Sequence, residues 1–256
     1  MKRIVLAAPC YGPRDPEIER ALRIAIMSAS RHAEWIGDVS TIRQGWVSAR
    51  NMAVKSALED APDCDGIVWV DDDVLLPATA ITRLLSYEQA QDFVTGVVFQ
   101  KMGDYNPLVA KWVGNGFAWW RKFPENVLAP ADGCGFGCVY TSTKMLRAIA
   151  QLPSEIKPFQ AYFKKDGWFD QFPANHFGKQ IEQDQAMSED FSFCMRAKMA
   201  GFQLYADTGL LASHMIGPKF STKATFDKHW AEKDKEAAEL KEKQAETLAL
   251  LDGSAA

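Results

Sequence analysis

The run Gly66-Ile67-Val68-Trp69-Val70 carries no charge and stops at three consecutive aspartates, Asp71-Asp72-Asp73. A short all-apolar run suits a strand covered on both faces, as at the centre of a parallel sheet, rather than the alternation of a strand with one wet face. Ligands of open parallel sheets bind outside the carboxyl ends of the strands, which is where these aspartates stand. Adjacent carboxylates repel one another unless a cation compensates, and Mg²⁺ or Mn²⁺ takes one or two carboxylates together with substrate phosphate oxygens. Alternation along an extended chain sends Asp71 and Asp73 to one side and Asp72 to the other, so Asp71 and Asp73 form the working pair. The competing reading is a solvated loop in which one aspartate caps the following helix.

The sequence around this run alternates strand and helix. Strands are expected at Ile4 to Pro9, Val39 to Ile42 and Phe93 to Phe99, and helices at Asp15 to Arg31, Ser48 to Glu59 and Ala78 to Tyr87, which implies an α/β domain with a mostly parallel sheet. Short aromatic pieces fill Lys101 to Ala131. A glycine-rich strand is expected over Gly133 to Tyr140, a helix over Ser142 to Leu152, and a long irregular connection over Pro153 to Gln185. Ser188 opens a helix closed by Gly201, Gln203 to Ala206 is a further strand, and Thr225 to Leu251 reads as an exposed helix. One domain over residues 1–220 with a helical extension over 221–256 is the expected organisation.

At 256 residues the chain is long enough for a full core, and its net charge of -4 gives no global reason to bind nucleic acid. Five cysteines without paired CxxC spacing argue against a disulfide framework and a structural zinc site. Ile4 to Pro9 is too short for the apolar part of a signal peptide and no run reaches the ~18 apolar residues of a membrane span, so a soluble, cytoplasmic protein is expected.

Two further places carry candidate chemistry. Ser188-Glu189-Asp190 has the pattern of a capped helix start, and one of its carboxylates also suits a general base for an acceptor hydroxyl. His214, after Leu210-Leu211-Ala212, is either a structural histidine or a neutral imidazole that completes a metal's coordination. Tyr162, Phe163, Trp168, Phe169 and Phe172 form either a stacking platform or a small core of their own. Lys101, Arg121, Lys122, Lys157, Lys164 and Lys165 are candidates for a phosphate-binding edge.

Taken in order, Ser48-Ala49-Arg50-Asn51, the strand ending in Asp71-Asp72-Asp73, Gly133-Cys134-Gly135-Phe136-Gly137, Ser188-Glu189-Asp190-Phe191 with Gly201, and His214 resemble the family-2-type inverting glycosyltransferases of the GT-A fold. That resemblance implies a Rossmann-like α/β fold and a metal-dependent hexosyl- or pentosyltransferase using a nucleotide-sugar donor, a UDP-sugar first among them. It implies donor contacts from Pro9, Arg50, Asn51, Asp71, Asp72, Gly133 and Gly135, and a divalent cation, Mn²⁺ or Mg²⁺, on Asp71, Asp73 and His214. Asp190 becomes the base with Glu189 its neighbour; on the platform reading of the aromatic residues, Trp168 and Phe169 are the acceptor contacts. The implied acceptor is a glycan, or a hydroxymethylated base in phage DNA. The chain departs from the processive synthases of that group, having neither a following membrane helix nor their Gln-x-x-Arg-Trp motif. A nucleotidyltransferase and a non-catalytic nucleotide-sugar-binding module are the alternatives.

Overall fold

The computed structural model describes the chain except residues 11, 42–43, 88–89, 91, 114–115, 153–166, 171–187, 218 and 254–256, and describes 219 and 245–253 by backbone alone. Its centre is a sheet of β1 (Lys2–Ala7), β2 (Ala33–Val39), β3 (Gly66–Val70), β5 (Phe93–Val98), β10 (Cys138–Ser142), β11 (Leu204–Ile216) and β12 (Lys219–Ser221) in the order β12-β11-β5-β10-β3-β1-β2. β1 runs parallel to β2 and β3, and β11 parallel to β5, while β10 lies antiparallel between β3 and β5. β4 (Val74–Leu75) and β8 (Leu128–Ala131) also pair with β11, and β6 (Val109–Trp112), β7 (Phe117–Trp119) and β9 (Gly133–Cys134) make a small second sheet.

Alternation along the strands divides the core between the two sheet faces. Val5, Ala7, Ile67 and Trp69 point to one side, with residues of α2 (Trp46–Glu59), α4 (Thr143–Ala150) and α5 (Glu189–Met199). Ile4, Leu6, Val68 and Val70 point to the other, with α1 (Pro16–Ser28) and α3 (Ala80–Ser86). Three helix starts are capped by side chains: Asp15 accepts from Glu17 N at 2.8 Å, Ser142 from Met145 N at 3.1 Å, and Ser188 from Phe191 N at 3.5 Å. Gly201 closes α5 at φ +88°, the left-handed conformation that favours glycine. No helix among the described residues is long and apolar enough to cross a membrane.

Several expectations are corrected. The second strand starts at Ala33 rather than Val39. It is the sheet edge, where Glu34 and Asp38 face water, so it lacks the apolar signature of a strand. Gly133 to Tyr140 is not one strand: β9 and β10 belong to different sheets, and between them Phe136 is inserted into the core against Trp69 and Phe169. The pieces expected at Gln203–Ala206 and Leu210–Ala212 are one strand, β11, with a register shift between Asp207 and Leu211. At that irregularity buried Asp207 receives Arg83 through two contacts of 2.6 Å and the Tyr87 hydroxyl at 2.8 Å. The last helix, α6 (Lys223–Gly253), is exposed along much of its described length, but Phe226 is buried with its ring centre 5.8 Å from that of Phe99, which ties the first turn to the core.

Candidate active site

The aspartates after β3 meet β11 because β4 folds back onto it: Val74 pairs with His214, and Asp73 O accepts from Met215 N at 2.8 Å. Ligand atoms of Asp71, Asp73 and His214 consequently lie within 4.8 Å of one another. His214 Nδ1 is 2.8 Å from the carbonyl of Phe99, which only accepts, so that nitrogen carries the hydrogen. Nε2 then faces Asp73 Oδ1 at 3.2 Å. A lone pair and a carboxylate facing each other need a proton or a cation between them, and a backbone acceptor on the far nitrogen is the usual support of a metal-ligating histidine. Ser221 Oγ donates to the same Phe99 carbonyl at 3.1 Å and fixes it from the other side. The donor set of two carboxylates and one imidazole fits a hard divalent cation that keeps open positions for phosphate or water. Lys101 also ion-pairs with Asp73. Burial alone would raise the Asp73 carboxyl, but His214 and Lys101 hold it below its ordinary value.

Behind this cluster lies Arg50, 2 % exposed, on α2. Its guanidinium is 3.3 Å from Asp71, 3.2 Å from Asp190 and 3.9 Å from Glu189, and its carbon stands 5.2 Å from the ring centre of Phe136. Burial would discharge it, yet Asp190, Asp71 and Glu189 together raise its pKa, so it remains a cation. One guanidinium thus faces three carboxylates, and the excess of negative charge lies beside the Asp71–Asp73–His214 cluster. Asp190 opens α5, with Oδ2 accepting from Phe136 N at 3.1 Å. Burial pushes its carboxyl up to about 7 against the pull of Arg50, with Glu189 and Asp71 adding to the rise. A buried carboxyl poised near neutrality can exchange a proton at working pH.

The other expected site residues divide. Asp72 lies near Cys10, whose thiol is pushed up by burial and also by Asp72, against Arg14. Pro9 is buried at the end of β1. Gly135 lies close to Asp190, since a Cβ there would be 3.7 Å from its Oδ2. Arg50 is a buried link between Asp71 and Asp190. The Asn51 amide accepts from Trp168 N and Phe169 N and donates to Phe169 O, so it pins a loop. Phe169 is buried with its ring centre 4.7 Å from that of Phe193, and half-buried Trp168 donates from Nε1 to Leu146 O, so both rings pack on the core. At Gly133 the space its missing side chain leaves is filled by the Phe191 ring, 2.6 Å from where a Cβ would stand. Tyr162, Phe163, Phe172, Lys157, Lys164 and Lys165 lie outside the described residues. Sequence reasoning missed Lys101 as the partner of Asp73 and the Phe99 carbonyl behind His214. Both depend on sheet register, which leaves no mark on residue type.

No family model and no curated protein matches the chain. Among solved structures, A197 from STIV aligns over 87 % of this chain and 94 % of its own, with a TM-score of 0.51 at 16 % identity. GalNAc-T7, solved with UDP, GalNAc and Mn²⁺, aligns over 89 % of this chain and 47 % of its own, with a TM-score of 0.51 at 10 % identity. At such identities the likeness is one of fold. With its mostly parallel sheet, flanking helices and acidic strand end, the chain has the α/β architecture of the GT-A glycosyltransferases.

Proposed function

We propose that the chain is a metal-dependent glycosyltransferase that moves a sugar from a nucleotide-sugar donor to a hydroxyl of a glycan acceptor, with inversion at the anomeric carbon. The observation that carries this reading is the Asp71–Asp73–His214 cluster at the carboxyl end of the central strand, with the histidine tautomer fixed so that Nε2 faces the carboxylates. Asp71, Asp73 and His214 would hold Mn²⁺ or Mg²⁺, which when bound neutralises charge developing on the departing nucleoside diphosphate. Asp190 takes the proton of the acceptor hydroxyl as it attacks, a role supported by its burial and its carboxyl near neutrality. Arg50 acts as a positioning residue, holding Asp190 and Asp71 to one cation. A single displacement without a protein nucleophile inverts the sugar.

The fold neighbour GalNAc-T7 was solved with UDP and Mn²⁺, which makes those the first ligands to try. Thermal melts of the native chain and of Asp73→Ala with nucleoside diphosphates, triphosphates and nucleotide sugars, each with and without Mn²⁺, test the reading, since a ligand that binds only the folded state raises its stability. The expected result is stabilisation by one diphosphate and its sugar conjugates, present only with the cation and lost in Asp73→Ala. Stabilisation by triphosphates alone would point to nucleotidyl transfer. Donor binding with no sugar released or transferred would leave a binding module.

A further inference from the structure

Apart from the metal-ligating cluster, a cleft of about 680 Å³ lies between the end of β7 and the first turns of α6. Its volume is that of a small-ligand site. Trp119 and Trp120 stand on one side with Arg121, and Asp227, Trp230 and Asp234 on the other. A pyranose presents a face of C–H bonds and a rim of hydroxyls. Indole rings receive the first, and carboxylates accept from the second.

The charges in the cleft narrow the ligand class. Arg121 stacks 3.1 Å above the centre of the Trp230 ring and lies 3.9 Å from Asp234, and Lys223 is 2.8 Å from Asp227. Lys122 also lines the cleft and Lys223 is 3.6 Å from Glu125 as well, so three cations stand beside three carboxylates and the rim is polar without a net charge that would gather a polyanion. Both walls are also anchored to the candidate active site. Trp119 meets Phe191, the residue after Asp190, edge-on at 5.4 Å, and Phe226 packs on Phe99, whose carbonyl receives His214.

We propose that this cleft binds a neutral saccharide, the sugar unit of the acceptor. Its role as acceptor rests on the transferase reading above; saccharide binding itself does not.

The test is saturation-transfer NMR of the native chain in EDTA and without donor, using the methyl glycosides of glucose, galactose, mannose and N-acetylglucosamine, maltotriose, and a ten-residue oligothymidylate. At least one glycoside or maltotriose should receive saturation on its ring C–H protons. Affinity should fall at least tenfold in Trp119→Leu and several-fold in Asp234→Asn, whose exposed side chain leaves the fold untouched; melting curves of both variants separate lost binding from lost folding. Equal binding by native chain and variants, no binding of any saccharide at millimolar concentration, or binding of oligothymidylate alone would overturn the proposal. Saccharide binding that depends on Trp119 in a chain that binds no nucleotide would uphold the cleft and overturn the acceptor role together with the transferase reading.

Discussion

Replacing Asp190 with asparagine should change how stability depends on pH, with a sign opposite to that of an ordinary ion-paired carboxylate. In the folded chain burial, helped by Glu189 and Asp71, raises this carboxyl to about 7 from its ordinary 3.8, whereas in the unfolded chain it titrates near ~3.9. Between those values the folded state keeps a proton that the unfolded state has released, so stability falls as pH rises. The contribution is complete below the unfolded value and gone once pH has passed about 7. Three pKa units at about 1.36 kcal/mol each give a total of about 4 kcal/mol, of which about 3 kcal/mol falls within an accessible window from pH 4.5 to 8.5. Asparagine keeps the shape and cannot ionise. Urea titrations in EDTA across that window should therefore show the native chain losing about 3 kcal/mol relative to Asp190→Asn, with the difference levelling off above pH 7. A difference that is flat or grows in the native chain's favour would refute the account of a desolvated, proton-holding Asp190. The same substitution should lower kcat about 100- to 10,000-fold, the usual share of a general base.

Three other substitutions probe the surroundings of the base. Arg50→Met leaves Asp71, Glu189 and Asp190 without their shared cation and should cost about 3–5 kcal/mol, or roughly 10 °C in Tm, part of it recovered near pH 5; a melt within a few degrees of the native value would contradict the buried link. Asn51→Ala removes three hydrogen bonds to the backbone of residues 168–169 and should cost about 3 kcal/mol in urea titration with donor affinity unchanged; a loss of donor affinity at full stability would return Asn51 to the donor site. Gly133→Ala drives a methyl into the Phe191 ring and should destabilise by about 1–3 kcal/mol by calorimetry, with an unchanged melt showing that α5 yields freely.

The parts of this fold most legible in the sequence are those where burial is complete. β3 has the bounds read from its apolar run, because every residue in it is buried on one face or the other. Ser142, Ser188 and Gly201 mark helix ends through hydrogen bonds and backbone geometry that belong to those residue types. The edge strand β2 was displaced in the reading because an edge exposes the polar side chains that elsewhere signal a loop. The aromatic residues at 168 and 169 show a different limit: a stacking platform and a core plug use the same side chains, and the bonds from Asn51 that fix their backbone leave no mark on residue type. Arg50 shows the same limit, since an arginine at a helix start is compatible with a phosphate and with buried carboxylates, and three-dimensional proximity to Asp71 and Asp190 decides between them.

The pairing of β5 with β11, in which Val98 stands opposite Ala212, joins parts of the chain separated by nearly half its length. Contacts of that range are slow to form, because the closure entropy of the intervening chain comes before any gain from pairing. Asp71 and Asp73 on the β3 side therefore meet His214 only once such a long-range pairing has formed. A cation that needs all three ligands has little to hold before that step, so its stabilisation enters after the folding barrier. Chelation should accordingly speed unfolding while leaving the refolding rate nearly unchanged, and Asp73→Ala should reproduce that asymmetry without any chelator.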